Sequence, residues 1–250
     1  MMGTRYGVIS WNGERSDQYG ISIEKYPNYN KPQRKIDRYT VPGRNGEIIM
    51  LQNAWEMVEQ EYAIVAGDGL KHSVPGGFSR VSEWLTSAQG YAELWDDFDP
   101  DHYRIAFFEG PLDIESLSVG RVGRTTITFI CKPQRFLTSG KAPVDILSAP
   151  ANIINPTAYE AKPTIFIKMA SAGSGSVTIN NLQYTVTDIP YTGIYIDSEE
   201  MHCYGVNGEN LNSKVSSNTG GFAAFLPGSN TIGFTGDIQS LSIVPHWFEI

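Results

Sequence analysis

Ser176-Val-Thr-Ile-Asn-Asn-Leu-Gln-Tyr-Thr-Val-Thr187 reads as two short strands, Ser176 to Ile179 and Leu182 to Thr187, parted by the turn-prone pair Asn180-Asn181. The same texture fills the rest of the second half. Candidate strands Thr164 to Met169, Ile194 to Asp197, His202 to Val206, Phe222 to Leu226, Thr231 to Phe234 and Leu241 to Val244 are punctuated by Gly173-Ser-Gly175, Asn207-Gly208 and Pro227-Gly-Ser229. Strands recurring every roughly eight to twelve residues, with no helical period, predict a β-sandwich.

Charge separates this half from the first. Residues 138–250 hold nine acids and four bases, whereas residues 1–137 hold eighteen acids and fifteen bases. A sparsely charged Gly/Ser/Asn-rich segment following a charge-dense one predicts a boundary near Thr138 to Pro143, hence domains 1–137 and 138–250. The net charge of -8 argues against nucleic acid, whose backbone requires a sustained positive footprint. Cys131 and Cys203 lie far apart within β-like runs and read as buried thiols of a reducing compartment rather than a disulfide framework. With no apolar N-terminal segment behind a basic flank, and no apolar run of about 18 residues, neither secretion nor a membrane span is expected.

In the first half, Tyr6 to Ser10 and Gly20 to Glu24 read as a strand pair around the turn-prone Trp11-Asn-Gly-Glu14. Trp55 to Ala66 fits a helical and a strand period almost equally, and its glutamate alternation before Gly67-Asp-Gly69 tips it toward strand. Phe78 to Ala88 is a clearer helix, with Phe78, Val81, Leu85 and Ala88 on one stripe, Trp84 broadening it and Gly90 ending it. Tyr91 to Trp95 and His102 to Phe108 flank the acidic turn Asp96 to Asp101, and Ile114 to Val119 pairs with Arg124 to Cys131 around Gly120-Arg-Val-Gly123. This half is expected to be mainly β with one covering helix.

Residues Lys25 to Gly46 carry Lys25, Lys31, Arg34, Lys35, Arg38 and Arg44 against one acid, Asp37. Pro27, Pro32 and Pro42 interrupt them, so the stretch reads as an extended arm rather than a helix or a cleanly alternating central strand. Val41-Pro-Gly-Arg-Asn-Gly46, with two turn signals, reads as a sharp reversal at its end.

Signals for chemistry are weak. His72, His102, His202 and His246 lack metal-ligand spacing, and no phosphate loop or G-x-S-x-G is present. Asp96, Asp97, Asp99 and Asp101 read as a solvated acidic turn in preference to a calcium loop. Asp197, Glu199 and Glu200 resemble the entry to a turn more than half of a glycosidase pair. Tyr191, Tyr195 and Trp247, with other aromatics of the second half, could pack a sandwich core or stack on sugar.

A series of ordered landmarks covers nearly the whole chain. They are Asp17-x-Tyr-Gly-Ile-x-Ile-Glu24, Val41-Pro-Gly-Arg-Asn-Gly-Glu47, Val81-Ser-Glu-Trp-Leu85, Leu94 through Tyr103 and Thr128-Phe-Ile-Cys-Lys-Pro133. The second half adds Asn155-Pro-Thr-x-Tyr-x-Ala-x-Pro163, Ile196-Asp-Ser-Glu-x-Met201, Leu226-Pro-Gly-x-Asn230 and Pro245-x-Trp247. In this order they resemble the distal tail protein family of long, non-contractile-tailed bacteriophages and related prophages.

The resemblance implies a mainly β chain: an N-terminal β-sandwich with one covering helix and an extended arm, then a galectin-like or carbohydrate-binding-module-like sandwich. It implies a structural hub component of the tail tip or baseplate, made in the host cytoplasm and carried in the virion, with no catalytic activity and no cofactor. Its implied partners are further copies in a hexameric ring, the tail tube protein, the tip protein and receptor-binding or accessory tail proteins mounted on the second domain. On that reading the arm straps across a neighbour, with Tyr29, Arg34, Lys35, Arg38, Tyr39 and Arg44 as interface candidates. Glu56, Glu59, Glu61 and the Asp96 to Asp101 turn are the candidate acidic receivers, and Trp84 either meets the neighbour or covers its own sheet. Two alternatives stay open: a carbohydrate-binding module contacting host cell-wall glycans through Tyr191, Tyr195 and Trp247, and a cell-wall glycoside hydrolase.

Overall fold

The computed structural model describes residues 7–66, 74–113, 115–118 and 122–250. His72, the breaker at Gly67-Asp-Gly69 and the tip of the turn at Gly120-Arg121 lie outside them. The chain divides into two compact units, one ending at Arg135 and also taking in Ile250, the other Phe136–Glu249.

The strands of the first unit are β1 (Ile9–Trp11), β2 (Glu14–Arg15), β3 (Ile21–Ile23), β4 (Arg34–Thr40), β5 (Glu47–Trp55), β6 (Val58–Ala66), β7 (Ala92–Asp96), β8 (His102–Phe108), β9 (Glu115–Ser118) and β10 (Val122–Leu137), which runs to the unit boundary. One helix, α1 (Val74–Leu85), separates β6 from β7. The main sheet runs β2-β1-β7-β8-β10-β6-β3, with β9 on β10. It curls until β3 returns to the segment leading into β1, where the Ile23 N–H donates to the Gly7 carbonyl at 2.9 Å. Among the described residues, the expected pairing of Tyr6 to Ser10 with Gly20 to Glu24 is reduced to this one bridge, and Tyr6 lies outside them. Asn12 and Gly13, at φ 51° and 81°, close a tighter hairpin between β1 and β2, and the other edge of β1 goes to β7.

Inside the curl the strand period selects the core. Ile9, Trp11, Tyr62, Ile64, Leu94, Ala106, Ile127 and Phe129 are buried together. Trp55 to Ala66 resolves as strand from Val58 onward. The helix begins four residues before the expected Phe78 and ends three before Ala88, since Pro75 suits a first turn, where its missing N–H costs nothing. Val81, Trp84 and Leu85 face the core, and two tryptophans lock helix to sheet: Trp11 Nε1 donates to the Leu85 carbonyl at 3.1 Å and Trp84 Nε1 to the Trp11 carbonyl at 3.4 Å.

The second unit contains β11 (Val144–Ile146), β12 (Ala151–Asn155), β13 (Thr164–Met169), β14 (Gly173–Ile179), β15 (Leu182–Ile189), β16 (Ile194–Asp197), β17 (His202–Gly205), β18 (Val215–Ser217), β19 (Gly228–Gly236), β20 (Ile238–Val244) and β21 (Phe248–Glu249). Two five-stranded sheets, β11-β20-β13-β16-β17 and β12-β19-β14-β15-β18, form the β-sandwich that the short-strand texture predicts. Ile165, Ile167, Ile196, Leu241 and Ile243 of one sheet join Val177, Ile179, Val186 and Ile232 of the other in one core. Phe222 to Leu226 departs from the expected strand. Only Phe225 pairs, exchanging two backbone bonds with Ala161, while its fully buried ring lies 5.5 Å from Trp247. Ring insertion into the core outweighs ladder formation here.

Asn230, fully buried, holds the approach to β19. Its Nδ2 donates to the carbonyls of Leu226 (2.8 Å) and Gly228 (2.9 Å), and its Oδ1 accepts from the Leu226 N–H and Asn180 Nδ2. Asn230→Ala removes all four of these bonds from a fully buried side chain and should cost about 2 kcal/mol; urea unfolding followed by near-UV circular dichroism checks it, and a loss below about 1 kcal/mol contradicts it.

Candidate functional site

Within the first unit, among the described residues, β4 and β5 pair only with each other, forming a two-stranded sheet apart from the curled one. The extended arm takes the form of a hairpin, of which residues 34–40 are one half. The reversal at Val41 to Gly46 is its turn, with Gly43 and Gly46 at φ 79° and 84° and the Arg44 N–H donating to the Val41 carbonyl. Pro27 and Pro32 precede the strand and Pro42 sits in the turn, so no proline interrupts the ladder. The sequence reading missed β5. Its signal was the run Ile48-Ile-Met-Leu51, which is apolar on both faces of a strand.

Register assigns those side chains. Asp37 opposes Met50 and Tyr39 opposes Ile48 on one face, whereas Ile36 opposes Leu51 and Arg38 opposes Ile49 on the other. Ile49 is 59% exposed, Met50 and Leu51 56%. The bases serve the hairpin itself. Arg38 lies 3.6 Å from Glu47, Lys35 3.8 Å from Glu56, and the Arg34 guanidinium sits 5.0 Å from the Trp55 ring. These ion pairs are well exposed, so each contributes well under about 1 kcal/mol and is free to exchange partners. Tyr39 and Arg44 are exposed on the hairpin, and Glu59 and Glu61 are exposed on β6.

The root of the hairpin is fixed differently. Residues 26–31 cross their own unit: Gln60 Nε2 donates to the Asn28 carbonyl at 3.0 Å, Asn30 Nδ2 to the Glu59 carbonyl at 3.2 Å, and Tyr26 packs edge-on against Phe98. Tyr29 drives its hydroxyl to Asp96 Oδ1 at 2.7 Å. That carboxylate also receives the N–H groups of Phe98 and Asp99, while its Oδ2 accepts the buried Tyr62 hydroxyl at 2.8 Å. Burial and then the Asp96 charge push the Tyr62 phenol well above its ordinary pKa, so it acts purely as a donor.

The acidic turn is therefore solvated only in part, which corrects the sequence reading at Asp96: it is 4% exposed and fully engaged, whereas Asp101 is exposed. Asp99 is bound by Arg135 and lies 2.8 Å from His102 Nδ1. Burial alone would raise the Asp99 carboxyl, but the hydrogen bonds from His102 and Arg135, with the Arg135 charge, hold it below its usual range. Among the described residues no cluster of three or more His, Cys, Asp or Glu is arranged to hold a metal ion.

The remaining candidates do not converge. Trp84 is 2% exposed and stacks on Tyr19, so it covers its own sheet. Trp247 is 5% exposed in the sandwich core, whereas Tyr191 is 62% exposed on a loop. Tyr195 stands in a cross-strand row, 4.6 Å from the Phe166 ring and 5.1 Å from that of Tyr204, with His202 stacked beyond. Rings stacked on one another offer edges outward, while sugar stacking requires an open face. Asp197 Oδ1 accepts the Glu199 and Glu200 N–H groups and Glu199 pairs with Lys162, as a capped turn does. Burial raises the Cys131 thiol to about 12 and the Cys203 thiol to about 11, leaving both unreactive.

No family model and no curated protein matches the sequence. Solved structures do match the fold. The Dit protein (gp 19.1) of phage SPP1, described as a paradigm of the hub adsorption apparatus in phages infecting Gram-positive bacteria, aligns with a TM-score of 0.73 at 13% identity, covering 96% of this chain and 98% of its own. A chain of the phage p2 baseplate in its activated conformation with Sr aligns at TM-score 0.57 and 9% identity over 96% and 97%. The same baseplate with Ca gives 0.58 and 8% over 95% and 96%. At such identities the likeness is one of fold, and it extends end to end.

Asp96→Ala should cost about 3 kcal/mol by leaving the Tyr62 hydroxyl without an acceptor, and Tyr29→Phe about 1 kcal/mol. Equal losses in urea titrations would contradict this ordering. The lowered Asp99 carboxyl stabilises the fold fully above about pH 4, its unfolded value, and that contribution disappears as pH falls through the folded value. The stability gap between parent and Asp99→Asn should therefore be constant near neutrality and close on acidification; a gap that widens in acid would contradict it.

Proposed function

We propose that this chain is a structural hub component of a phage tail tip or baseplate, acting by assembly and not by chemistry. Six copies close into a ring through the first unit, between the tail tube protein and the tip protein, and the second unit mounts receptor-binding or accessory tail proteins. The end-to-end fold likeness to phage hub proteins supports the setting. The observation that carries self-association is the hairpin Arg34–Trp55, which leaves Tyr39, Ile48, Ile49, Met50 and Leu51 exposed across both faces. Such an apolar surface marks an interface, and a subunit offering one patch to a different patch on its neighbour forms a ring when the rotation closes. The strap expected of residues 25–46 is thus relocated: residues 26–31 anchor, and residues 34–55 reach.

Electron microscopy of the purified chain should show sixfold rings with an open lumen. Ile49→Asp with Leu51→Asp should abolish them by light scattering, while changing monomer stability by no more than about 0.5 kcal/mol because both sites are exposed. Persistent monomer in the parent at high concentration, or rings that survive both aspartates, would overturn the reading.

A further inference from the structure

A shallow groove of about 260 Å³ opens beyond the C-terminal end of α1, lined by Ala88, Gln89, Gly90, Tyr91, Phe107 and Phe108. Tyr91 and Phe107 meet edge to face at 5.5 Å, Tyr91 is about half exposed, and exposed Met57 touches its hydroxyl. The volume lies just below the range of small-molecule pockets and suits one or two aliphatic side chains. The other concavity described in this unit, bounded by Lys25, Asn28, Asn30 and Glu61, has no aromatic side chain in its lining.

We infer that this groove receives the Ile49–Leu51 face of the hairpin from a second copy of the chain. This rests on the ring reading and names the receiving surface. The two patches differ, as a heterologous contact requires: the hairpin face is apolar and exposed, whereas the groove sets the rings of Tyr91, Phe107 and Phe108 beside Gln89, with Lys132 Nζ 5.2 Å from the centre of the Tyr91 ring. Charge favours the same pairing. Residues 34–55 carry four bases and two acids, whereas the rest of residues 1–137 carries eleven bases and sixteen acids. A positive hairpin is therefore drawn toward the body of a neighbour and repelled by another hairpin. Arg38 shares the face of Ile49 and Leu51, and Glu109, one residue beyond Phe108 and exposed, is its acidic counterpart at the groove. Met57 at the lip is a side chain able to reshape around the incoming aliphatics.

The test uses the full chain. Leu51→Cys and Gln89→Cys proteins are prepared separately, mixed and oxidised; the native Cys131 and Cys203 are buried and contribute little background. A disulfide-linked dimer should form in the mixture and not in either protein alone, since bridging requires Cα atoms within about 7 Å. Gly90→Trp provides a second arm, because a Cβ at Gly90 meets nothing within 4 Å and the indole can fill the groove without disturbing its own fold. It should raise the midpoint concentration of assembly about tenfold or more while leaving the monomer's circular dichroism unchanged. Rings that form without the 51–89 link and with Gly90→Trp behaving as parent overturn the groove and leave the ring reading standing. A parent chain that never assembles overturns both.

Discussion

A single buried carboxylate ties the first unit together. Asp96 ends β7, gathers two backbone N–H groups of its own turn, and accepts hydroxyls from Tyr62 in the core and Tyr29 in the crossing segment. A buried charge persists only when its lone pairs are filled, so the turn, the inner face of β6 and residues 26–31 must be in place together. The hairpin inherits its direction from that requirement, because residues 26–31 lead into it. Charge at the tip serves geometry: Asp99, His102 and Arg135 brace the turn from which Asp96 acts.

Much of this architecture was legible in the amino acids. The alternation of Thr125 to Ile130, the hairpin around Asn180-Asn181 and the turn glycines 43 and 46 each have a local physical cause, and each falls where that cause places it. The failures share a different character. Asp96 looked solvated because its partners, Tyr29 and Tyr62, lie 67 and 34 residues away, and a charge count cannot see long-range hydroxyls. Arg34 to Thr40 read as extended and unfit for a cleanly alternating central strand, which holds, but its pairing with β5 stayed hidden because the prolines were taken to interrupt the stretch and in fact flank it. β5 escaped notice because a strand apolar on both faces violates the alternation that identifies strands. The violation was itself the signal.

The second unit teaches a parallel point about aromatic content. Tyr191, Tyr195 and Trp247 are similar in the sequence and unlike in the structure: one is on an exposed loop, one in a stacked cross-strand row, one in the core. A sandwich of this kind needs large rings to fill the space between its sheets, and Trp247 with Phe225 supplies that filling. Placement therefore decides between packing and recognition where composition could not.

The hairpin also bears on how the free chain avoids misdirected pairing. Two strands with unpaired outer edges and apolar faces are the kind of template on which misdirected β-pairing begins. Lys35 and Arg38 on β4, with Pro32 and Pro42 flanking it, discourage such pairing by like-charge repulsion and by missing donors. The basic, proline-flanked composition thus has a protective role: it makes the hairpin a poor template for edge-to-edge pairing.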